Sequence, residues 1–252
     1  LKPQPTHNNL LSILYQDQSL IAVHKPAGLL THRTALAFGE TRFALQMLRD
    51  QIGQHVYPAH RLDRGTSGVL LFALNPETAR RLGEQFESHS VEKEYLAVVR
   101  GHPPIFGTIN HPITRQRDDA EWVGERTSKE AQPALSNYQR LACYELPLSI
   151  DHYPTSRYAL LALQPKTGRR HQLRRHLKHI AHPIIGDATH GKGKHNRAFA
   201  DLFGTPRLLL CCTQLGITHP YSGEKLNLLA PPAADFQRVL NGLKPYEISQ
   251  PL

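Results

Sequence analysis

Apolar residues in this chain fall mostly in short runs bounded by turn-forming residues, and fewer segments follow a helical period. Ile13-Leu14-Tyr15, a polar break at Gln16-Asp17-Gln18-Ser19, and the run Leu20 to Val23 predict a β-hairpin, closed off by Lys25-Pro26-Ala27-Gly28. Val69 to Leu74 is apolar throughout and sits between turn signals, which predicts a buried strand. Glu92 to Arg100, rich in Tyr and Val, predicts another, as do Arg157 to Gln164 and Arg207 to Leu215. Helical spacing appears in Phe43 to Ile52, with apolar residues at 43, 44, 45, 47, 48 and 52 and a glycine stop at Gly53. Asn75-Pro76-Glu77 opens a second helix, with Asn as cap and Pro in the first turn, and Ala79, Leu82 and Phe86 share one face. Pro232 to Leu243 is a final amphipathic helix. Strands outnumber helices and the two do not strictly alternate. The expectation is an α+β fold with a mixed, largely antiparallel sheet flanked by helices and loops.

The chain has 252 residues, enough to bury a core without disulfide or metal. Residues 1–9 are expected to form a flexible leader and 10–252 a single domain. The polar stretch Arg115 to Glu130 reads as a surface loop, because apolar runs resume on both sides. Thirty Lys and Arg against 21 Asp and Glu give a net charge of +9, the balance of a protein that meets a polyanion. Sixteen histidines add to that balance beside a phosphate backbone. Cys143, Cys211 and Cys212 are odd in number and lack metal-ligand spacing, so all three are expected reduced and mostly buried. No apolar run is long enough to span a bilayer, and the start of the chain has no signal-peptide pattern. These features predict a cytoplasmic protein.

The densest chemistry lies in His60-Arg61-Leu62-Asp63-Arg64-Gly65-Thr66-Ser67-Gly68. One carboxylate stands between two arginines, and a turn-forming stretch leads straight into the buried strand. Asp63 therefore sits on a tight loop anchored to the core, where a scaffold presents a reacting group. A turn-capping Asp would occupy the same kind of position.

Lys166 to Lys178 (KTGRRHQLRRHLK) holds six Lys or Arg, two His and no acid. Read as a helix, its stripe Leu173, Leu177 and Ile180 faces the core, with Arg170 and Arg174 bordering it. His171, Arg175 and Lys178 project toward solvent. A solvated basic face accounts for Arg175 and Lys178 but not for Arg174, whose position leaves it partly buried. A buried guanidinium needs a carboxylate, and Asp63 is a candidate. Lys166, Arg169, Arg170, His171, Arg175 and Lys178 are candidate nucleic-acid contacts, together with Arg61 and Arg64 beside the loop carboxylate. His190 to Arg197 (HGKGKHNR) reads as a glycine-softened basic loop, either a phosphate contact or plain surface. No HExxH or CxxC spacing supports a metal site.

Several ordered blocks resemble the RluA-type family of pseudouridine synthases, from about Leu10 to Ala230. Lys25-Pro26-Ala27-Gly28 is similar to the family's N-terminal block, and His60 to Ala73 to its catalytic signature. Lys93 to Val99 resembles its KxYxAxV block. Thr167 to Arg174 and His182 to Asp187 resemble its TGRxHQxR and HPIxGD blocks. The HRLDR form of the signature, Asp50 to His55 and Tyr153 to Tyr158 point to the members that act on tRNA, at the T-stem uridine of tRNA position 65. Two departures stand out: Cys211-Cys212 replaces the family's usual His-Ala, and residues 1–9 have no family counterpart. The first hairpin starts near residue 10, so no S4-like RNA-binding module is expected before the catalytic blocks.

The resemblance implies the pseudouridine synthase fold with a central basic cleft, RNA as substrate and no cofactor, because the isomerisation needs neither redox chemistry nor an outside group. No membrane and no protein partner are implied, and a monomer is expected. In this reading Asp63 is the nucleophile, acting at ribose C1′ or at uracil C6. Arg174 opposes and orients it. Tyr95 stacks on the uracil and takes the C5 proton. Arg61 fills the gap left by the flipped nucleotide. His60, Gly65, Thr66, Ser67 and Gly68 shape the loop, and Asp187 forms an Asx turn or a scaffold salt bridge. A glycoside hydrolase would need a second acid flanking a sugar bond, and Asp63 has no evident acid partner. A silent RNA-binding module would not need the Arg-flanked Asp. A relative acting on rRNA or another tRNA site remains the nearest alternative.

Overall fold

The computed structural model describes residues 10–33, 39–114 and 130–249. The leader at 1–9 and the polar stretch at 115–129 lie outside the described residues. In chain order the first elements are β1 (Ser12–Gln16), β2 (Leu20–Lys25), α1 (Ala44–Ile52), β3 (Tyr57–Pro58), β4 (Ser67–Ala73) and α2 (Pro76–Glu87). There follow β5 (Glu92–Arg100), β6 (Phe106–Asn110), β7 (Ile113–Thr114), β8 (Ala131–Gln132), β9 (Leu135–Leu146) and β10 (Ser156–Pro165). The chain ends with α3 (Gln172–His179), α4 (Gly193–Phe203), β11 (Leu210–Thr218), β12 (Lys225–Leu229), α5 (Ala234–Leu243) and β13 (Glu247–Ile248). The described residues form two compact units, one of 10–33, 39–92 and 214–231, the other of 93–114, 130–213 and 232–249.

In the first unit β1 and β2 make the expected hairpin, and β2 pairs antiparallel with β4 from Leu20↔Ala73 to Lys25↔Gly68. All seven residues of β4 are buried, which is why its sequence lacks alternation. β3 pairs with β4, and β12 pairs with the Gln214–Thr218 part of β11. Helix α1 stops where expected, at Gly53 in the left-handed region (φ 68°). Helix α2 is capped by the Asn75 side chain, which accepts the Thr78 amide at 2.8 Å, and packs Thr78 and Leu82 inward.

In the second unit the strand order is β5-β10-β9-β13, antiparallel throughout, with β6 on β9 and a small β7–β8 pair. The period-two alternation of β5 divides two clusters. Ala97 and Val99, with Leu161 and Leu163 of β10, pack against Leu173 and Leu177 of α3. Val98 faces the other way, packing with Tyr158, Phe199 of α4, and Phe236, Val239 and Leu243 of α5. The α+β expectation and the largely antiparallel sheet both hold.

Three local expectations are corrected. The basic segment is helical only from Gln172. His171, just before it, has φ 54°, and Thr167, Arg169 and Gln172 tie the approach into a turn, so Arg170 and Arg174 do not share a helix face. His190 to Arg197 is not a loop throughout. Helix α4 starts at Gly193 and buries His195 and Phe199, four residues apart, and the glycines masked that spacing. Strand β11 starts at Leu210, three residues later than the pattern suggested. The long strand β9 had no counterpart in the pattern, because its buried polar residues Ser136 and Arg140 disguise it. Arg140 donates there from Nη1 to the Pro103 carbonyl at 2.7 Å. The three cysteines are buried and free of disulfides. Among the described residues no helix is long and apolar enough to cross a membrane.

Candidate active site

Asp63, Arg61 and Arg64 belong to the first unit. Asp63 is half-buried, and the backbone on both sides of it is strapped down. Thr31, buried itself, accepts the Leu62 amide at its hydroxyl (3.4 Å) and donates to the Leu62 carbonyl (3.3 Å). The Arg64 carbonyl accepts from the Gly28 amide at 2.8 Å and from Lys25 Nζ at 3.3 Å. Thr66 closes the turn by donating its amide to the Asp63 carbonyl at 3.0 Å. Lys25 is fully buried, and its ammonium also donates to the carbonyls of Leu29 (2.7 Å) and Pro26 (3.0 Å). A buried charge is tolerable only when so satisfied. The Lys25-Pro26-Ala27-Gly28 block is thus the clamp that holds the Asp63 loop in place. The pattern of polar and apolar residues does not reveal this role. Its one sequence signal is a lysine at the end of an otherwise buried strand.

Arg61 is exposed. Arg64 is engaged with the loop's own frame, donating from Nε to the Gly28 carbonyl at 3.1 Å and pairing with Glu40. His60 has a structural place: its Nε2 accepts the Leu71 amide at 3.2 Å and its ring stacks on Phe86.

Tyr95, Lys166, Arg169, Arg170, His171, Arg174, Arg175 and Lys178 belong to the second unit. Tyr95 lies half-buried on β5, opposite Leu163, and packs against the same cluster as Leu173 and Leu177. Arg174 is 9% exposed and makes a forked pair with Asp187, Nε to Oδ2 at 2.7 Å and Nη2 to Oδ1 at 2.8 Å. Its carboxylate partner within its own unit is therefore Asp187. That side chain also accepts the amides of Thr189 and His190, each at 2.9 Å, so it makes the Asx turn and the salt bridge at once. Burial alone would raise the pKa of Asp187. The bonds from Arg174, His190 and Thr189 outweigh it and hold the carboxyl below its ordinary value.

The turn carrying Asp187 depends on Gly186. Its φ is 78°, and a Cβ there would stand 1.7 Å from the Arg207 carbonyl oxygen. Asn196 of α4 locks the same turn, accepting the Gly186 amide at 2.8 Å and donating to the Asp187 carbonyl at 2.9 Å. The sequence pattern assigns Asn196 to a basic loop, whereas it lies in α4.

The remaining basic residues divide by exposure. Lys166 and Lys178 are exposed, while Arg169, Arg170, His171 and Arg175 are half-buried. Arg169 donates to the Pro133 carbonyl (3.3 Å) and Arg175 to the Thr114 carbonyl (2.7 Å). His171 Nδ1 lies 3.2 Å from His190 Nε2. Among the described residues no group of three or more His, Cys, Asp or Glu is placed to hold a metal.

Residues 19–179 match the profile of the RNA pseudouridylate synthase family. The chain is similar to a tRNA pseudouridine synthase C of Yersinia pestis, 51% identical over 221 residues, which span 88% of this chain and 86% of that one. It is as similar to a tRNA pseudouridine synthase C of Haemophilus ducreyi, 51% identical over 233 residues, which span 92% and 95% of the two chains. A solved structure, human RNA pseudouridylate synthase domain containing 4, superposes with a TM-score of 0.68 at 28% identity, covering 92% of this chain and 93% of that one.

Proposed function

Because this chain belongs to the RNA pseudouridylate synthase family, and so is an isomerase, we propose that it converts a uridine of tRNA to pseudouridine with Asp63 as the nucleophile. The observation that carries this reading is the clamped loop. Asp63 is held by backbone bonds on both sides while staying half-buried, neither sealed in the core nor loose. A reacting group must be positioned within a few tenths of an ångström to be useful, and such a loop does that.

The target uridine leaves its stack and enters a basic cleft, at a cost of a few kcal/mol. Arg61, exposed beside Asp63, takes the vacated place and offsets that cost by stacking and by phosphate contacts. Asp63 bonds to C1′ or to C6 of the flipped nucleotide, and the bond from C1′ to N1 breaks. The ring turns, C1′ bonds to C5 and the bond to Asp63 breaks. Tyr95 takes the C5 proton as its own hydroxyl proton passes on through solvent, and N1 gains one proton. Atoms balance without a redox partner or cofactor. Arg174 faces Asp63 in this scheme. Asp187 engages Nε and Nη2 of the guanidinium. Lys166, Arg169, Arg170, His171, Arg175 and Lys178 follow the RNA backbone, with Arg64 contributing from the loop.

The tRNA assignment is supported by relatives about half identical over most of the chain that carry tRNA in their names. The proposed target is the T-stem uridine of tRNA position 65, modified in the cytoplasm by a monomer that needs no protein partner. Release of tritium from tRNA labelled at uridine C5 tests the chemistry. Asp63→Asn should abolish release while RNA affinity changes little, and full activity in that variant would end the nucleophile assignment.

A further inference from the structure

Strand β5 holds the approach to the turn that carries Asp187. The Arg100 amide donates to the Pro183 carbonyl at 3.0 Å, and the Ile185 amide donates to the Val98 carbonyl at 2.9 Å. The Ile185 carbonyl accepts the Leu209 amide at 2.9 Å. Beyond Ile185 the chain turns back on itself. The Asp187 carbonyl accepts the Gly191 amide at 3.0 Å, and the Asp187 side chain accepts the amides of Thr189 and His190. The return is so close that a Cβ at Gly191 would collide with the Asp187 carbonyl oxygen. These local bonds give the turn its shape but do not fix its place.

Among the described residues, two side chains from outside the turn bond to Gly186 and Asp187. One is Arg174, the group that Asp187 has to hold. The other is Asn196 of α4, whose Oδ1 accepts the Gly186 amide at 2.8 Å and whose Nδ2 donates to the Asp187 carbonyl at 2.9 Å. The partners dictate which way this amide faces, since an N–H only donates and a carbonyl only accepts. Leu in its place would keep the shape and lose both bonds. Helix α4 is itself pinned one residue earlier. His195 is buried, with Tyr158 Oη 2.8 Å from Nδ1 and Asp151 Oδ2 3.0 Å from Nε2. Phe199 packs in the same cluster as Tyr158 and Phe236. Successive helical residues point about 100° apart, so α4 turns His195 to the core and Asn196 to the Asp187 turn.

We propose that Asn196 is a positioning residue for the isomerisation, fixing where Asp187 stands and so the direction in which the Arg174 guanidinium faces. This rests on the role given to Arg174 above. The fork between Arg174 and Asp187 has two bonds, Nε at 2.7 Å and Nη2 at 2.8 Å, so the guanidinium follows the carboxylate instead of swivelling about one contact. A shift of the turn is therefore passed on to Arg174, and a misplacement of about 1 Å far from the chemistry can cost about 100-fold in rate.

The test uses the full chain and the variants Asn196→Leu, Asn196→Gln and Phe199→Leu. Phe199→Leu loosens α4 through its core contact and leaves the turn bonds in place, so it controls for lost stability. Tritium release from tRNA labelled at uridine C5 gives kcat and KM, with the folded fraction taken from thermal melts. Solvent exchange of the Arg174 Nε–H, read by proton–nitrogen NMR and assigned by its loss in Arg174→Lys, reports on the fork itself. In Asn196→Leu kcat should fall about 10- to 100-fold with KM little changed, and the Nε–H should exchange faster. Asn196→Gln keeps donor and acceptor on a longer stem and should lie between Leu and wild type. Phe199→Leu should keep wild-type kcat and exchange per folded molecule. Unchanged kcat and exchange in a folded Asn196→Leu protein would overturn the positioning role. So would an equal fall in kcat in Phe199→Leu, or a raised KM at constant kcat in Asn196→Leu. Faster exchange at wild-type kcat would instead take Arg174 out of the chemistry, and with it the reading on which this role rests. Absence of tritium release by the wild-type protein would sink the proposed function, while the exchange rates would still show whether Asn196 holds the fork.

Discussion

Replacing Asp187 with Asn asks whether the buried pair with Arg174 is architecture, chemistry or both. The exchange keeps shape and removes charge. Asp187 receives Arg174 Nε at 2.7 Å, Arg174 Nη2 at 2.8 Å and two backbone amides at 2.9 Å. An Asn carbonyl oxygen can satisfy only part of that set. Its amide nitrogen then meets an N–H of Arg174 or of the turn, donor against donor. Removing one partner of a buried pair costs about 3–5 kcal/mol, chiefly because the other charge stays desolvated. For chains of roughly this length 1 kcal/mol moves Tm by about 2–4 °C, so the expected drop is roughly 6–20 °C. Thermal and urea melts measure it. The double variant Arg174→Met, Asp187→Asn takes both charges away, keeps an oxygen to accept the Thr189 and His190 amides, and should recover much of the lost stability. Activity then divides the roles. If Arg174 faces Asp63 as proposed, the stable double variant still releases no tritium. Wild-type turnover by that variant would refute Arg174's part in the chemistry. A Tm for Asp187→Asn within a degree or two of wild type would refute the energetic reasoning about the pair.

Lys25→Met removes the clamp on the Asp63 loop while leaving Asp63 itself in place, so kcat should fall by up to about 100-fold with little change in KM. A raised KM at intact kcat would show that the lysine serves binding instead. Stability should also fall as the pH is lowered from about 7.5 to about 5.5. Burial is the first cause holding His102, His176, His182 and His190 below the ordinary imidazole value of 6.5. The unfolded chain therefore takes up protons first, and the stability present above 6.5 drains away as pH falls toward the folded values. Asp187, also depressed, loses its contribution only as pH drops below its ordinary 3.8, outside that window. A Tm that stays flat across the histidine window would contradict this assignment.

The hydrophobic pattern made the strands and the ends of α1 and α2 legible, because these depend on local alternation, a cap and a glycine. It failed where polar side chains are buried. Ser136 and Arg140 hid β9, and the glycines beside His195 hid α4, since a periodic reading assigns polar residues to solvent. The candidate site follows the same rule. Asp63 is visible from its neighbours in sequence, and the partial burial of Arg174 could be argued from spacing alone. The parts that make them rigid could not. Asp187 lies 13 residues beyond Arg174, on a turn that requires Gly186 and Asn196, and Thr31 reaches Leu62 across 31 residues. Lys25 reaches the Arg64 carbonyl across 39. Each of these is a polar group whose burial is affordable only through a partner remote in sequence. The resemblance of whole blocks places such residues before any contact is known. Their separate physical reasons (a clamp, a fork, a turn that tolerates no Cβ) emerge only once the chain is folded.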